Sequence, residues 1–131
     1  GSPHFHGIAQ RPGKPMAFWK NSNSPLVFAH PGNPVSVMAC AARYLIPSLV
    51  EILSGRSPNP QQLPATGSFH CPSHFTGLVP CRINNGRIQL VPPSNSGNFL
   101  ALAGTDGIAQ LPGNLTGKEL LNEQSSFYPW A

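Results

Sequence analysis

Arg11 and Lys14 flank a Pro-Gly turn in Arg11-Pro12-Gly13-Lys14-Pro15, and a second turn follows in His30-Pro31-Gly32-Asn33-Pro34-Val35-Ser36. Two cations close to a helix start are groups that hold an anion. Guanidinium and ammonium supply charge and donors, and the first N–H groups of a helix point outward at the positive end of its dipole. Asn33 suits the N-cap, and Pro34 suits the first helical position, where a missing N–H costs nothing. The N–H groups of Val35 and Ser36 then face an anion or the Asn33 side chain. Capture of a small oxyanion is the chemistry these residues predict. On residue types alone, two solvated turn cations and an ordinary capped helix are the competing reading.

Other chemistry is weaker. His4, His6, His70, Cys71, His74 and Cys81 include the tight group His70-Cys71-Pro72-Ser73-His74. Structural zinc sites show paired Cys or His at fixed short spacings with four clear ligands, a pattern missing here, so these read as turn and strand residues and no metal site is expected. Cys40 reads as a small core residue. No Ser-His-Asp or Cys-His arrangement stands out.

The whole chain constrains the frame for these residues. It has 131 residues, 16 prolines and 13 glycines; 9% of residues are charged and 40% are apolar. That is too apolar for disorder and too interrupted for a helical bundle. The net charge is +4, and Arg11, Lys14, Lys20 and Arg43 precede the first acidic residue, Glu51. These bases are dispersed and lack an aromatic-rich nucleic-acid motif, so nucleic acid is not an expected partner. No apolar run reads as a membrane span, and no membrane partner is expected. Cys40, Cys71 and Cys81 are odd in number without disulfide spacing, which fits a reducing cytoplasm.

The elements expected to position the motifs are strands at 5–10, 16–20 and 26–29, the last a continuous apolar run suited to burial on both faces. A helix follows Asn33. Its stripe of Val35, Met38, Ala39, Ala42, Leu45, Ile46, Leu49, Ile52 and Leu53 is expected to face a sheet, with a kink at Pro47 or a break there into two shorter helices, and a left-handed cap at Gly55. Residues 56–66, with Pro58, Pro60 and Pro64, read as a linker. Short β-type segments follow at 68–71, 75–83, 87–91, 108–111 and 119–128. Asn84-Asn85-Gly86 is a hairpin turn, Ser94 to Asn98 a polar loop, and Phe99 to Ala103 a helical turn or a strand. The fold class is therefore an α/β part followed by an all-β barrel or sandwich. Three short strands and one helix make an incomplete core, so the first part reads as the tail of a larger α/β domain.

Ile8-Ala9-Gln10-Arg11-Pro12-Gly13-Lys14-Pro15, an apolar strand, and Pro31-Gly32-Asn33-Pro34-Val35-Ser36 together resemble the C-terminal region of the molybdopterin molybdenumtransferase (MoeA) family, which includes the E domain of gephyrin. Asn85-Gly86, Ser96-Gly97, Leu102 to Gly107, Leu111-Pro112 and Gly117-Lys118-Glu119 are similar to the family's terminal β-barrel. The resemblance implies residues 3–55 as the end of a molybdopterin-binding α/β domain, 56–66 as linker and 67–131 as the barrel. It implies a cytoplasmic enzyme that inserts molybdate into adenylylated molybdopterin with Mg²⁺ and releases AMP, working as a homodimer in full-length form. A non-catalytic scaffolding module of the gephyrin type is the alternative.

In this frame Arg11 and Lys14 bind the anionic substrate, with Arg11 standing where the family commonly has lysine. Pro31, Gly32, Asn33 and Pro34 shape the pterin pocket with Ser36, and Ser96 borders the substrate groove. The family often has an arginine early in the barrel; the matching position here is Gly77, with Arg82 out of register. Glu51, Asp106, Glu119 and Glu123 lie away from both turns. The fragment alone is therefore expected neither to hold Mg²⁺ nor to be active.

Overall fold

The computed structural model describes residues 2–20, 23, 25–94 and 98–130. The first part contains β1 (Phe5–His6), β2 (Gln10–Arg11), β3 (Ala17–Trp19) and β4 (Val27–Ala29). Gly7, at φ 89°, divides the strand expected over 5–10 into β1 and β2. These two pieces go to different sheets. β1 pairs antiparallel with β3, and β3 with β4. β2 pairs in parallel with a barrel strand instead. β4 was expected to be buried on both faces. It lies at an edge of its three-stranded sheet, with Leu26 and Val27 exposed.

The helix starts after Asn33 with Pro34 in its first turn, as the residues predict. It runs as α1 (Pro34–Cys40), a π-helical turn at Ala41–Leu45, and α2 (Ile46–Ser54), ending at Gly55 with φ 72°. The disturbance expected at Pro47 takes the form of this π-turn, in which Ile46 N–H bonds the Ala41 carbonyl. Widening the turn ahead of the proline accommodates the ring that would otherwise strike the preceding carbonyl. Pro34–Ser54 is 21 residues long and contains an 18-residue stretch with a mean hydropathy of 1.5, long and apolar enough to cross a bilayer, contrary to the reading of the sequence. Its first half is instead a packing element. Ala39 and Ala42 lie on Leu78 and Ile108, flanked by Tyr128 and Trp130. The apolar stripe does not face a sheet along its whole length: Met38, Leu49, Ile52 and Leu53 are exposed.

The barrel comprises β5 (Gln61–Gly67), β6 (Thr76–Asn84), β7 (Arg87–Leu90), β8 (Gly107–Pro112) and β9 (Leu120–Pro129). Neighbours run β6-β7-β5-β9-β8, and β8 returns to pair with β6, closing five strands. Asn85 and Gly86 take φ values of 52° and 73°, the double positive φ of a tight hairpin turn between β6 and β7. The linker read over 56–66 overlaps β5, which begins at Gln61. Pro64 sits where β9 alone spans the strand, since β7 joins only at Ala65. Residues 68–71, expected as β, form no strand. Phe69 there plugs the barrel core with Val79, Cys81, Ile88, Ala109 and Leu111. Phe99–Leu102 is a single 3₁₀ turn. Alternation along β6 sends Val79 and Cys81 into the barrel and Leu78 outward under the helix, so both faces of that strand are buried.

Candidate functional site

The first Pro-Gly turn is fastened on two sides. On the barrel side, Gln10 lies opposite Thr76 and Arg11 opposite Gly77, and Thr76 N–H donates to the Ala9 carbonyl at 2.8 Å. On the helix side, the buried Gln10 amide donates to the Gly13 carbonyl at 3.0 Å and to Cys40 Sγ at 3.6 Å, while the Tyr44 hydroxyl donates to Gln10 Oε1. Gly13, at φ 101°, is packed so closely that a Cβ would fall 2.6 Å from Cys40 Sγ. The Arg11–Pro12 peptide is cis. One buried amide therefore links the turn to two helical residues, and the exposed cations Arg11 and Lys14 project from a backbone with little freedom.

These cations border a half-open pocket of about 770 Å³ between the α/β part and the barrel. Of the residues singled out in the sequence, Arg11, Lys14, Pro31, Asn33 and Ser36 line it. Gly32 and Pro34 belong to the same turn but not to the pocket wall, and Ser96 lies outside the described residues. Asn33 holds the N-cap position without a side-chain capping bond, which departs from the expectation for that residue. Val35 and Ser36 are buried. The barrel supplies the opposite wall through Phe69, His70, Phe75, Leu78 and Pro92 to Ser94. No cation stands at Gly77, because a Cβ there would meet the Phe69 ring at 2.7 Å. Arg82 donates to the Gly104 carbonyl, away from the pocket.

The electrostatics suit an anion. Among the described residues no carboxylate lines the pocket. Arg43, the base carried by the helix, serves packing: its Nε donates to Gln110 Oε1 at 2.6 Å and its guanidinium lies over the Tyr44 and Tyr128 rings. Burial pushes the Cys40 thiol up to about 11, against a smaller opposite effect of the Gln10 bond, so this cysteine stays protonated and is no nucleophile. Burial also raises Cys71, partly offset by the nearby Arg11 charge. No group of three or more His, Cys, Asp or Glu among the described residues is placed to hold a metal ion. A pocket wall without carboxylates does not suit Mg²⁺, which demands oxygen ligands.

His30, next to the second turn, has both ring nitrogens shut from solvent and without partners among the described residues, and its ring stacks near Phe28. Burial holds its pKa below the ordinary 6.5. The unfolded chain therefore takes up this proton at a higher pH than the folded one. The contribution of neutral His30 is complete above the unfolded value and is lost as pH falls below it. Melting curves of His30→Phe between about pH 7.5 and 5.5 are expected to fall less with acidification than those of the parent. Parallel pH profiles would contradict this.

Sequence reading missed Gln10 and Tyr44 as positioning residues, and His70 as pocket lining. A single polar residue in a two-residue strand has no periodicity to mark it. Its position just before the turn motif was the available signal.

No protein-family model matches the chain. A curated molybdopterin molybdenumtransferase from Synechocystis sp. is 33% identical over 97% of this chain and 31% of its own length. The molybdopterin biosynthesis moeA protein from Pyrococcus horikoshii OT3 superposes with a TM-score of 0.75 at 18% identity, covering 97% of this chain and 32% of that one. A molybdenum cofactor biosynthesis protein from Pyrococcus furiosus gives 0.74 at 16% identity, covering 96% of this chain and 45% of that one. The two structures establish the fold. The chain spans about a third of the curated relative it matches. The resemblance carried by the two Pro-Gly motifs and the barrel is borne out along nearly the whole chain.

Proposed function

We infer that this chain is a segment of a molybdopterin molybdenumtransferase of the MoeA family, and that the polypeptide carrying it inserts molybdate into adenylylated molybdopterin and releases AMP. The observation that supports this reading is the pocket. Two cations on a fastened turn, without an ion-pair partner among the described residues, face the second Pro-Gly turn and the barrel across a space of about 770 Å³, within the range of small-molecule sites. Arg11 and Lys14 bind the oxyanion, molybdate or phosphate, in this reading. Pro31 and Asn33 shape the wall beside it, and Phe69, Phe75 and Leu78 thin out the water that would screen the charges. Mg²⁺, if the reaction uses it, is held by carboxylates elsewhere in the polypeptide. A homodimeric assembly belongs to the same proposal.

The test is reconstitution. The natural polypeptide carrying these residues, mixed with adenylylated molybdopterin, Mg²⁺ and molybdate, is expected to release AMP only when molybdate is present. AMP release independent of molybdate, or none at any molybdate concentration, would overturn the assignment.

A further inference from the structure

We propose that His70 is the barrel's hydrogen-bond contact for the oxyanion, facing Arg11 and Lys14 across the pocket. The proposal rests on reading that pocket as an oxyanion site and adds a residue to it. Three observations carry it.

First, His70 lines the same pocket as the two cations, and its side chain is exposed there rather than packed into the barrel. An imidazole is a donor in either tautomer and two donors when protonated, so it suits an oxyanion in any state.

Second, its backbone is pinned on both sides. The preceding residue, Phe69, is 2% exposed, and its carbonyl accepts the Gly117 N–H at 2.9 Å. The following N–H, that of Cys71, donates to Thr116 Oγ1 at 3.0 Å. The His70 ring then lies beside Gly117, where an added Cβ would be 3.8 Å from its Cε1. A pocket side chain whose backbone is fixed by neighbours on both sides loses little freedom on binding a ligand.

Third, among the described residues Ser94 is the only other side-chain donor on the barrel wall. Phe69, Phe75, Leu78, Val79 and the prolines 80, 92 and 93 make up the rest of it, and the position opposite Arg11 is closed to any side chain by the Phe69 ring. Arg11 also lies close enough to influence the Cys71 thiol, which places its charge near the His70 segment. Without His70, the oxygens of a bound anion that face the barrel would meet mainly apolar groups, and unmet hydrogen bonds there weaken binding.

The experiment is calorimetric titration of molybdate into the natural polypeptide and its variants, each first checked for an unchanged melting temperature. His70→Ala is expected to weaken binding about tenfold, the usual size for losing one hydrogen bond to a charged group. His70→Gln, whose amide nitrogen stands near the Nε2 position on the ring edge away from Nδ1 and Gly117, should recover most of that loss. His74→Ala, which changes a neighbour outside the pocket wall, should bind like the parent. Lys14→Ala tests the underlying reading separately. If Lys14→Ala loses binding while His70→Ala stays within twofold of the parent, the His70 contact is overturned and the oxyanion site stands. If the parent does not bind molybdate, or Lys14→Ala binds as well as the parent, the site itself fails and the contact with it. Equal losses in His70→Ala and His70→Gln, or in His70→Ala and His74→Ala, would also overturn the contact, since distortion of the segment would then account for the effect.

Discussion

Replacing Lys14 with alanine is expected to slow molybdate-dependent AMP release by about a hundredfold, while the protein melts as before. Lys14 is exposed at the pocket edge and makes no ion pair among the described residues, so nothing in the fold depends on its ammonium. In the proposed reading its charge has the anion as its partner. A hundredfold loss corresponds to about 2.7 kcal/mol of transition-state stabilisation, a size seen when one preorganised donor is removed from a partly water-excluded site. Lys14→Arg should retain part of the activity, because charge is kept but a planar fork replaces a compact ammonium. Steady-state kinetics on the natural polypeptide decides the matter. A rate within threefold of the parent would remove Lys14 from the site.

The residues that carry this expectation were legible in the sequence because they are turn chemistry. Pro-Gly pairs, an N-cap followed by proline, and Asn85-Gly86 each specify backbone geometry locally, and the structure has turns at all three places. Gly55 was legible for the same reason. What was not legible is what depends on residues far apart. The amide of Gln10 meets a sulfur on the helix and the hydroxyl of Tyr44, and no local pattern announces either meeting. The barrel's first strand was hidden by composition: Pro58, Pro60 and Pro64 read as linker until pairing with β9 showed that a proline is tolerated where one neighbour is missing.

The helix carries the converse lesson. Its periodic stripe was read correctly as apolar, but periodicity does not say what lies against it. The stripe is buried at Val35, Ala39 and Ala42, half-buried at Leu45 and Ile46, and exposed at Met38, Leu49, Ile52 and Leu53. A 3.6-residue period identifies a face of a helix, whereas occupancy of that face is a property of the assembled domain.

Gly13→Ala is expected to damage stability and function together, which separates it from Lys14→Ala. The φ of 101° is rarely adopted by L side chains, and the added methyl would meet Cys40 Sγ at 2.6 Å and Gln10 Nε2 at 2.7 Å. Backbone strain and overpacking each cost about 1–3 kcal/mol, so roughly 2–6 kcal/mol of stability is at stake. The Gln10 amide is the more consequential neighbour. It already donates to the Gly13 carbonyl, and moving it away releases the turn that presents Arg11 and Lys14. Adding Cys40→Ala to the Gly13 variant removes the sulfur contact but neither the strained φ nor the amide contact. The double variant should therefore recover part of the melting temperature, with a favourable coupling between the two positions. Anion binding should return only to the extent that the turn is restored. A Gly13→Ala protein with the parent's melting temperature would show that the turn yields easily. In that case the rigidity assigned to the two cations would have to come from the pairing of β2 with the barrel instead.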